Sequence, residues 1–192
     1  MKVLLIGPPG SGKGTQGERL AAKFELAHIA AGDLLRAEVE AGTPLGEQVE
    51  GYIDRGELVP DEVMIELVMP LVAKAVASNG YVLDGFPRSV GQAVVVREAA
   101  EQMGAVPDAV IYLKAPHDVL IQRILARAEV EGRTDDTDEA VINNRLDVFD
   151  EATHPLVDYY RGRGLLHAVD ADQSEDEVTD RILAVIGPAA SG

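Results

Sequence analysis

Gly7, Gly12 and Lys13 stand in the order G-x-x-x-x-G-K within GPPGSGKGTQ (7–16), directly after the apolar run VLLI. Glycines let the backbone turn so that its N–H groups face an anion, and a helix that follows adds the partial positive charge of its N-terminus. The lysine then reaches the outer phosphates of a bound nucleotide. A strand, this spacing and a helix together make a P-loop, and Gly10, Ser11, Gly12, Lys13, Gly14 and Thr15 are its candidate residues around a nucleoside triphosphate. A glycine-rich turn with an exposed lysine is the plain alternative. It accounts neither for the spacing nor for the continuation Gly14-Thr15-Gln16. The hydroxyl that ordinarily follows the lysine directly is delayed by one position to Thr15, which weakens direct magnesium ligation by that side chain.

Asp84 ends the run YVLD and precedes Gly85. A carboxylate at the C-terminal edge of a buried strand lies where the magnesium ion of a bound nucleotide would sit. Asp84 is therefore the candidate metal residue, acting through water, with Thr15 as a second candidate. Of the 17 basic residues, five are lysines and the remaining twelve are arginines, whose planar forks match phosphate oxygens in pairs. Arg123 and Arg127 are spaced i, i+4 and share a helix face. His28, His117, His154 and His167 are scattered without metal-ligand spacing.

These residues need elements to place them. Five short runs read as strands, at 2–7, 26–31, 80–86, 108–115 and 165–171. Most are continuously apolar rather than alternating, as strands covered on both faces are. Helical patterns lie between them at 13–24, 33–41, 61–77, 89–102, 117–129, 139–160 and 175–186. The alternation predicts an α/β fold, a parallel sheet wrapped by helices. Asp61 and Glu62 after Pro60 suit a helix first turn, whereas Pro70 should kink or break that helix. Two stretches interrupt the alternation: a helical excursion between the second and third strands, and the loop ARAEVEGRTDD (126–136). Both are candidate mobile covers over a site at the strand ends.

A P-loop specifies phosphate and leaves the reaction open. The ordered series GPPGSGKGTQ, AGDLLR (31–36), DGFPRSVGQA (84–93) and GRTDD (132–136) resembles the nucleoside monophosphate kinases, and among them most of all the adenylate kinases, over nearly the whole chain. The resemblance implies a P-loop NTPase fold with five parallel strands, one domain over 1–192, a monophosphate-binding excursion at about 31–60 and a short lid at about 127–137. It implies reversible phosphoryl transfer from MgATP to AMP, giving two ADP, with magnesium as cofactor. It assigns Lys13, Arg88, Arg123, Arg127, Arg133 and Arg145 to the transferred group and its neighbours, Arg127 also to ATP. Arg36, Arg88, Arg133 and Arg145 would hold the AMP phosphate, and Gln92 would read the adenine edge. Ala31, Gly85 and the backbone of Glu57, Leu58 and Val59 would wall the monophosphate. Asp135 and Asp136 would orient the lid arginines.

Three features depart from the family pattern. Only the five residues AEVEG separate Arg127 from Arg133, too few for the large lid of many bacterial members, so a short lid without a metal staple is expected. Twelve steps separate Arg133 from Arg145, one more than the family usually shows. Position 31 is alanine, where adenylate kinases usually carry threonine and UMP/CMP kinases alanine. Ala31 thus leans toward pyrimidine monophosphates and Gln92 toward AMP, and a UMP/CMP or broad-specificity kinase stays open as the alternative.

Composition excludes other classes. Lys plus Arg number 17 against 33 Asp plus Glu, a net charge of −16 that repels nucleic acid and anionic membranes, so neither is an expected partner. There is no cysteine, and no apolar run approaches the ~18–20 residues of a membrane span. MKVLLIGPPG has no export signal, which makes the cytoplasm the expected compartment; a monomer is the expected state. A nucleotide-binding switch that transfers no phosphate is the rival from another class. The chain holds no N-K-x-D string to read guanine, and a switch leaves the two further phosphate-clamp motifs without a role.

Overall fold

The computed structural model describes residues 1–131 and 136–187. Strands β1 (Lys2–Ile6), β2 (Ala27–Ala30), β3 (Tyr81–Asp84), β4 (Ala109–Lys114) and β5 (Leu166–Asp170) form one parallel sheet in the order β2-β3-β1-β4-β5. They are the five runs expected from the sequence, trimmed at their ends. Helices α1 (Lys13–Phe24), α2 (Ala31–Glu40), α3 (Pro44–Arg55), α4 (Asp61–Val76), α5 (Val90–Gln102), α6 (His117–Glu131), α7 (Glu139–Val148), α8 (Pro155–Arg161) and α9 (Glu175–Ile186) surround it.

Both faces of the sheet are covered, which is why the strands read as continuous apolar runs. Side chains alternate along β1. Val3 and Leu5 join a core with Leu20 of α1 and Ile182 of α9, while Leu4 and Ile6 join another with Val68 and Val72 of α4 and Leu156 of α8. A smaller cluster, Leu120, Ile124, Ile142 and Leu146, fastens α7 to α6. Strand order reverses about β1, which lies between β3 and β4, and in open α/β sheets ligands bind in the crevice at such a reversal. The register sets Leu5 opposite Asp84. The loop after β1 and the aspartate ending β3 therefore emerge side by side.

Three local expectations are corrected, and one helix is added. Pro70 does not break its helix: α4 runs through it, because Met64, Val68, Val72 and Ala75 are all buried along one side while Pro70 faces solvent. Packing offsets the one backbone bond that proline removes. The expected loop at 126–136 is helical as far as Glu131, since ARAEVE contains good helix formers and no breaker before Gly132. The single helix expected over 139–160 is instead α7, a π-helical turn at Phe149–Thr153 and α8. The π turn is closed by His154 N–H donating to the Phe149 carbonyl at 2.7 Å, just before Pro155, which has no N–H to continue an ordinary helix. Finally, α3 forms a helix of its own within the excursion: Thr43 caps it by accepting from the Gly46 N–H at 3.0 Å, and Pro44 takes its first position. Here α2 and α3 lie so close that a Cβ on Gly46 would stand 2.1 Å from the Glu38 carbonyl oxygen.

No helix among the described residues is long and apolar enough to cross a membrane.

Candidate active site

Gly10 and Gly12 adopt φ of 78° and 88°, the left-handed region that lets the loop after β1 fold its N–H groups inward. Lys13 opens α1, and its ammonium donates to the Gly7 carbonyl at 2.8 Å and the Pro8 carbonyl at 3.1 Å, so it lies across the loop. Burial lowers its pKa to about 8; Asp84 opposes that shift, while Arg88, Arg127 and Arg145 add to it. Ser11 is 2% exposed, and its hydroxyl has no hydrogen-bond partner among the described residues.

A cleft of about 630 Å³ opens above this loop, a size suited to small-molecule ligands. Gly10, Ser11, Gly12, Lys13, Gly14 and Thr15 line it, together with Arg36, Arg88, Arg123, Arg127 and Arg145. The candidate basic residues on α1, α2, α6, α7 and the β3–α5 loop thus converge on one space, although the molecule as a whole is acidic. Arg88 donates through Nε to the Gly85 carbonyl at 2.8 Å, and its own carbonyl accepts from the Thr153 hydroxyl at 2.7 Å. Burial lowers the Arg88 pKa; Arg145 and Arg36 add to that and Asp84 opposes it. Arg127 and Arg145 share one counter-ion. Asp136, fully buried, accepts from Arg127 Nε at 2.8 Å and pairs through its other oxygen with Arg145. Arg36 pairs with Asp33 at 2.5 Å. Arg123 lines the cleft while its guanidinium donates to the Ala171 carbonyl at 2.9 Å and the Gln173 carbonyl at 3.4 Å, tying α6 to the segment after β5.

Glu57, Leu58, Val59, Gly85 and Gln92 also line the cleft. The Glu57 carboxylate is engaged by Arg55 at 2.9 Å and 3.0 Å, which leaves its backbone to form the wall. Gln92 is 1% exposed; its Oε1 accepts from the Arg88 N–H at 2.6 Å and its Nε2 donates to Asp61 Oδ1 at 2.7 Å. Ala31 departs from expectation. It is fully buried at the start of α2, packed in the core, and is not part of the cleft wall. A methyl group has no polar atom to hold it at a polar surface, and the core takes it. Arg133 and Asp135 lie outside the described residues.

Asp84 stands at the cleft with a buried Oδ1 that no group among the described residues bonds. A buried carboxylate oxygen without a partner is costly, and hydrated magnesium on a bound nucleotide would satisfy it, so the residues fit that ion. Thr15 lines the same cleft. No group of three or more His, Cys, Asp or Glu among the described residues could hold a metal by itself.

Two residues at the site escaped sequence reasoning. Thr153 was hidden inside an apparently regular helix, and no local signal marks its reach to Arg88. Asp61 read only as a first-turn acid, whereas it also holds Gln92, 31 positions away in sequence; only the fold brings the two together.

The family model "Adenylate kinase" matches residues 5–165. An adenylate kinase of Synechococcus sp. is 44% identical over 96% of this chain and 95% of its own length. One from Stenotrophomonas maltophilia is 45% identical over 97% and 99%, and one from Xanthomonas campestris pv. campestris is 44% identical over 97% and 100%. The pyrimidine kinase alternative is not favoured by these relatives, and its one feature, Ala31, is not in the cleft wall.

Proposed function

This chain belongs to the adenylate kinase family, and on that premise we propose that it transfers the terminal phosphoryl group of ATP reversibly to AMP, giving two ADP. The observation that carries the reading is the convergence of Lys13, Arg36, Arg88, Arg127 and Arg145 on one cleft that runs from a P-loop to Gln92. An oxygen of the AMP phosphate attacks the γ-phosphorus, a new P–O bond forms, and the bond from that phosphorus to the bridging oxygen of ADP breaks. No general base is required, and catalysis consists of positioning and charge stabilisation.

In this reading the P-loop N–H groups and Lys13 hold the outer phosphates of ATP. Arg36 and Arg88 orient the AMP phosphate, and Arg127 and Arg145, kept in place by Asp136, neutralise charge on the transferred group together with Arg123 and Arg133. Magnesium bound with ATP, held by Asp84 through water and by Thr15, would supply further neutralisation of the phosphate oxygens. Closure of the excursion at 31–60 and of the lid at 127–137 excludes the water that would otherwise hydrolyse ATP. We assign the protein to the cytoplasm as a monomer, a reading supported by the absence of cysteine and by a net charge of −16 that disfavours nucleic acid and anionic membranes as partners.

The test is steady-state transfer from MgATP to AMP, CMP, UMP and GMP in parallel, with ADP formation in the absence of an acceptor as the blank. AMP should dominate in kcat/KM. Equal or better use of CMP or UMP would overturn the assignment of AMP, and ADP formation that no acceptor accelerates would overturn phosphoryl transfer itself.

A further inference from the structure

Gln92 has an amide whose two ends look alike in shape and are opposite in chemistry. Which end faces a ligand decides which base it accepts. In this structure its Oε1 accepts from the Arg88 backbone N–H at 2.6 Å and its Nε2 donates to Asp61 Oδ1 at 2.7 Å. Turning the amide over would set an NH₂ group against an N–H and a carbonyl oxygen against a carboxylate, two repulsive contacts in place of two bonds. The Arg88 N–H is a fixed backbone group, but a single neutral bond is a modest constraint. Asp61 adds a charge-assisted one from the opposite side. Each partner takes one of the two bonding positions on its atom, so one lone pair on Oε1 and one N–H on Nε2 are left, an acceptor beside a donor. Gln92 lines the cleft and Asp61 does not.

We propose that Asp61 is a positioning residue that fixes the orientation of the Gln92 amide and so makes the monophosphate site select a 6-amino purine over a 6-oxo purine; this rests on the reading of Gln92 as the residue that meets the base. Adenine offers an exocyclic amine beside an unprotonated ring nitrogen, which pairs with the acceptor and donor as they are set. Hypoxanthine offers a carbonyl beside a ring N–H, the reverse order, and meets like against like. Cytosine has the same order as adenine, so the device rejects guanine and uracil by hydrogen-bond pattern while cytosine is left to be sorted by ring size. Asp61 does this from α4, the helix that leads out of the excursion, and its residue as a whole is exposed. Substitution there leaves the buried core untouched.

The experiment compares AMP with IMP, which differ only in that amine or carbonyl and in the proton on the ring nitrogen beside it, in wild type, Asp61→Ala, Asp61→Asn, Gln92→Ala and the double variant Asp61→Ala/Gln92→Ala, with thermal midpoints recorded for each. Asp61→Ala should lower the AMP/IMP ratio of kcat/KM by about tenfold, the scale of one charge-assisted hydrogen bond, chiefly through KM for AMP. Asp61→Asn keeps an oxygen that accepts from Nε2 and loses the charge at the start of α4, so it should restore most of the ratio. A merely structural role at the helix N-terminus would make the Asn and Ala variants alike. In the Gln92→Ala background, Asp61→Ala should add no further loss, as expected of two residues that act as one unit. If Gln92→Ala costs the AMP/IMP ratio while Asp61→Ala leaves it unchanged, this inference fails and the assignment of Gln92 stands. If Gln92→Ala itself leaves the ratio unchanged, the assignment of Gln92 fails and the role of Asp61 falls with it.

Discussion

Lys13 is held near its titration point by its surroundings. Burial lowers its pKa to about 8, with Asp84 opposing and Arg88, Arg127 and Arg145 assisting, against about 10.4 for a lysine in an unfolded chain. Between those two values the unfolded state binds the extra proton, so this residue makes stability rise with pH from about 8 to about 10.4. Nucleotide binding has the opposite sign, because phosphate needs the ammonium form. ATP affinity measured by calorimetry should be level below about pH 8 and fall above it toward tenfold per unit, and Lys13→Met should abolish the dependence. A level wild-type profile through this range would refute the assignment. Asp136 is the other decisive residue. It is fully buried and is the shared partner of Arg127 and Arg145, and removing one member of a buried ionic group leaves charge uncompensated at a cost of about 3–5 kcal/mol. Denaturant unfolding of Asp136→Ala should show a loss of that order, together with a fall in kcat as the two guanidiniums lose their common anchor. Unchanged stability would mean that solvent replaces the carboxylate at no cost.

At the scale of elements, α2 and α3 leave less room at Gly46 than any other glycine of the excursion has. A Cβ at position 46 would lie 2.1 Å from the Glu38 carbonyl oxygen, and backbone cannot swing aside as a flexible side chain does. Gly46→Ala should therefore part the two helices, destabilise by about 1–3 kcal/mol as overpacking does, and raise KM for AMP more than KM for ATP. Equal effects on both substrates would show that the excursion does not serve the monophosphate. How legible such elements were in the sequence follows from the range of the forces that make them. The five strands showed because burial on both faces leaves a continuous apolar signature, and the P-loop showed because its chemistry is packed into consecutive residues. Helix α3 carried a local signal as well, Thr43-Pro44 at its start, weakened by two internal glycines, Gly46 and Gly51. The π turn at Phe149–Thr153, the uninterrupted α4 around Pro70 and the bond from Asp61 to Gln92 had no such signature. The last two depend on packing or a partner distant in the chain, about which local propensity is silent, and a lone Pro155 within a helical pattern does not say that a wider bond closes before it.

The whole molecule carries −16, yet its cleft gathers Lys13, Arg36, Arg88, Arg127 and Arg145, so two electrostatic effects of opposite sign respond to salt. Self-repulsion of the net charge destabilises the compact state, and it is screened as the Debye length shrinks from about 30 Å at 0.01 M to about 8 Å at 0.15 M. Ion pairs are weakened by the same salt, but those at the surface, such as Arg19 with Glu175 and Asp176, are already screened by water and contribute little. The buried pairs of Asp136 are screened much less. Repulsion is summed over the whole surface and acts over the longer range, so its relief wins. The thermal midpoint of the ligand-free protein should rise on going from about 0.01 M to about 0.15 M sodium chloride, by several degrees for each kilocalorie of repulsion removed. In saturating ATP the rise should be smaller than without nucleotide, because the bound phosphates engage the basic cleft through contacts that salt itself competes with. A midpoint that falls with salt in the ligand-free protein would mean that specific pairs, and not net charge, dominate the electrostatics of this fold.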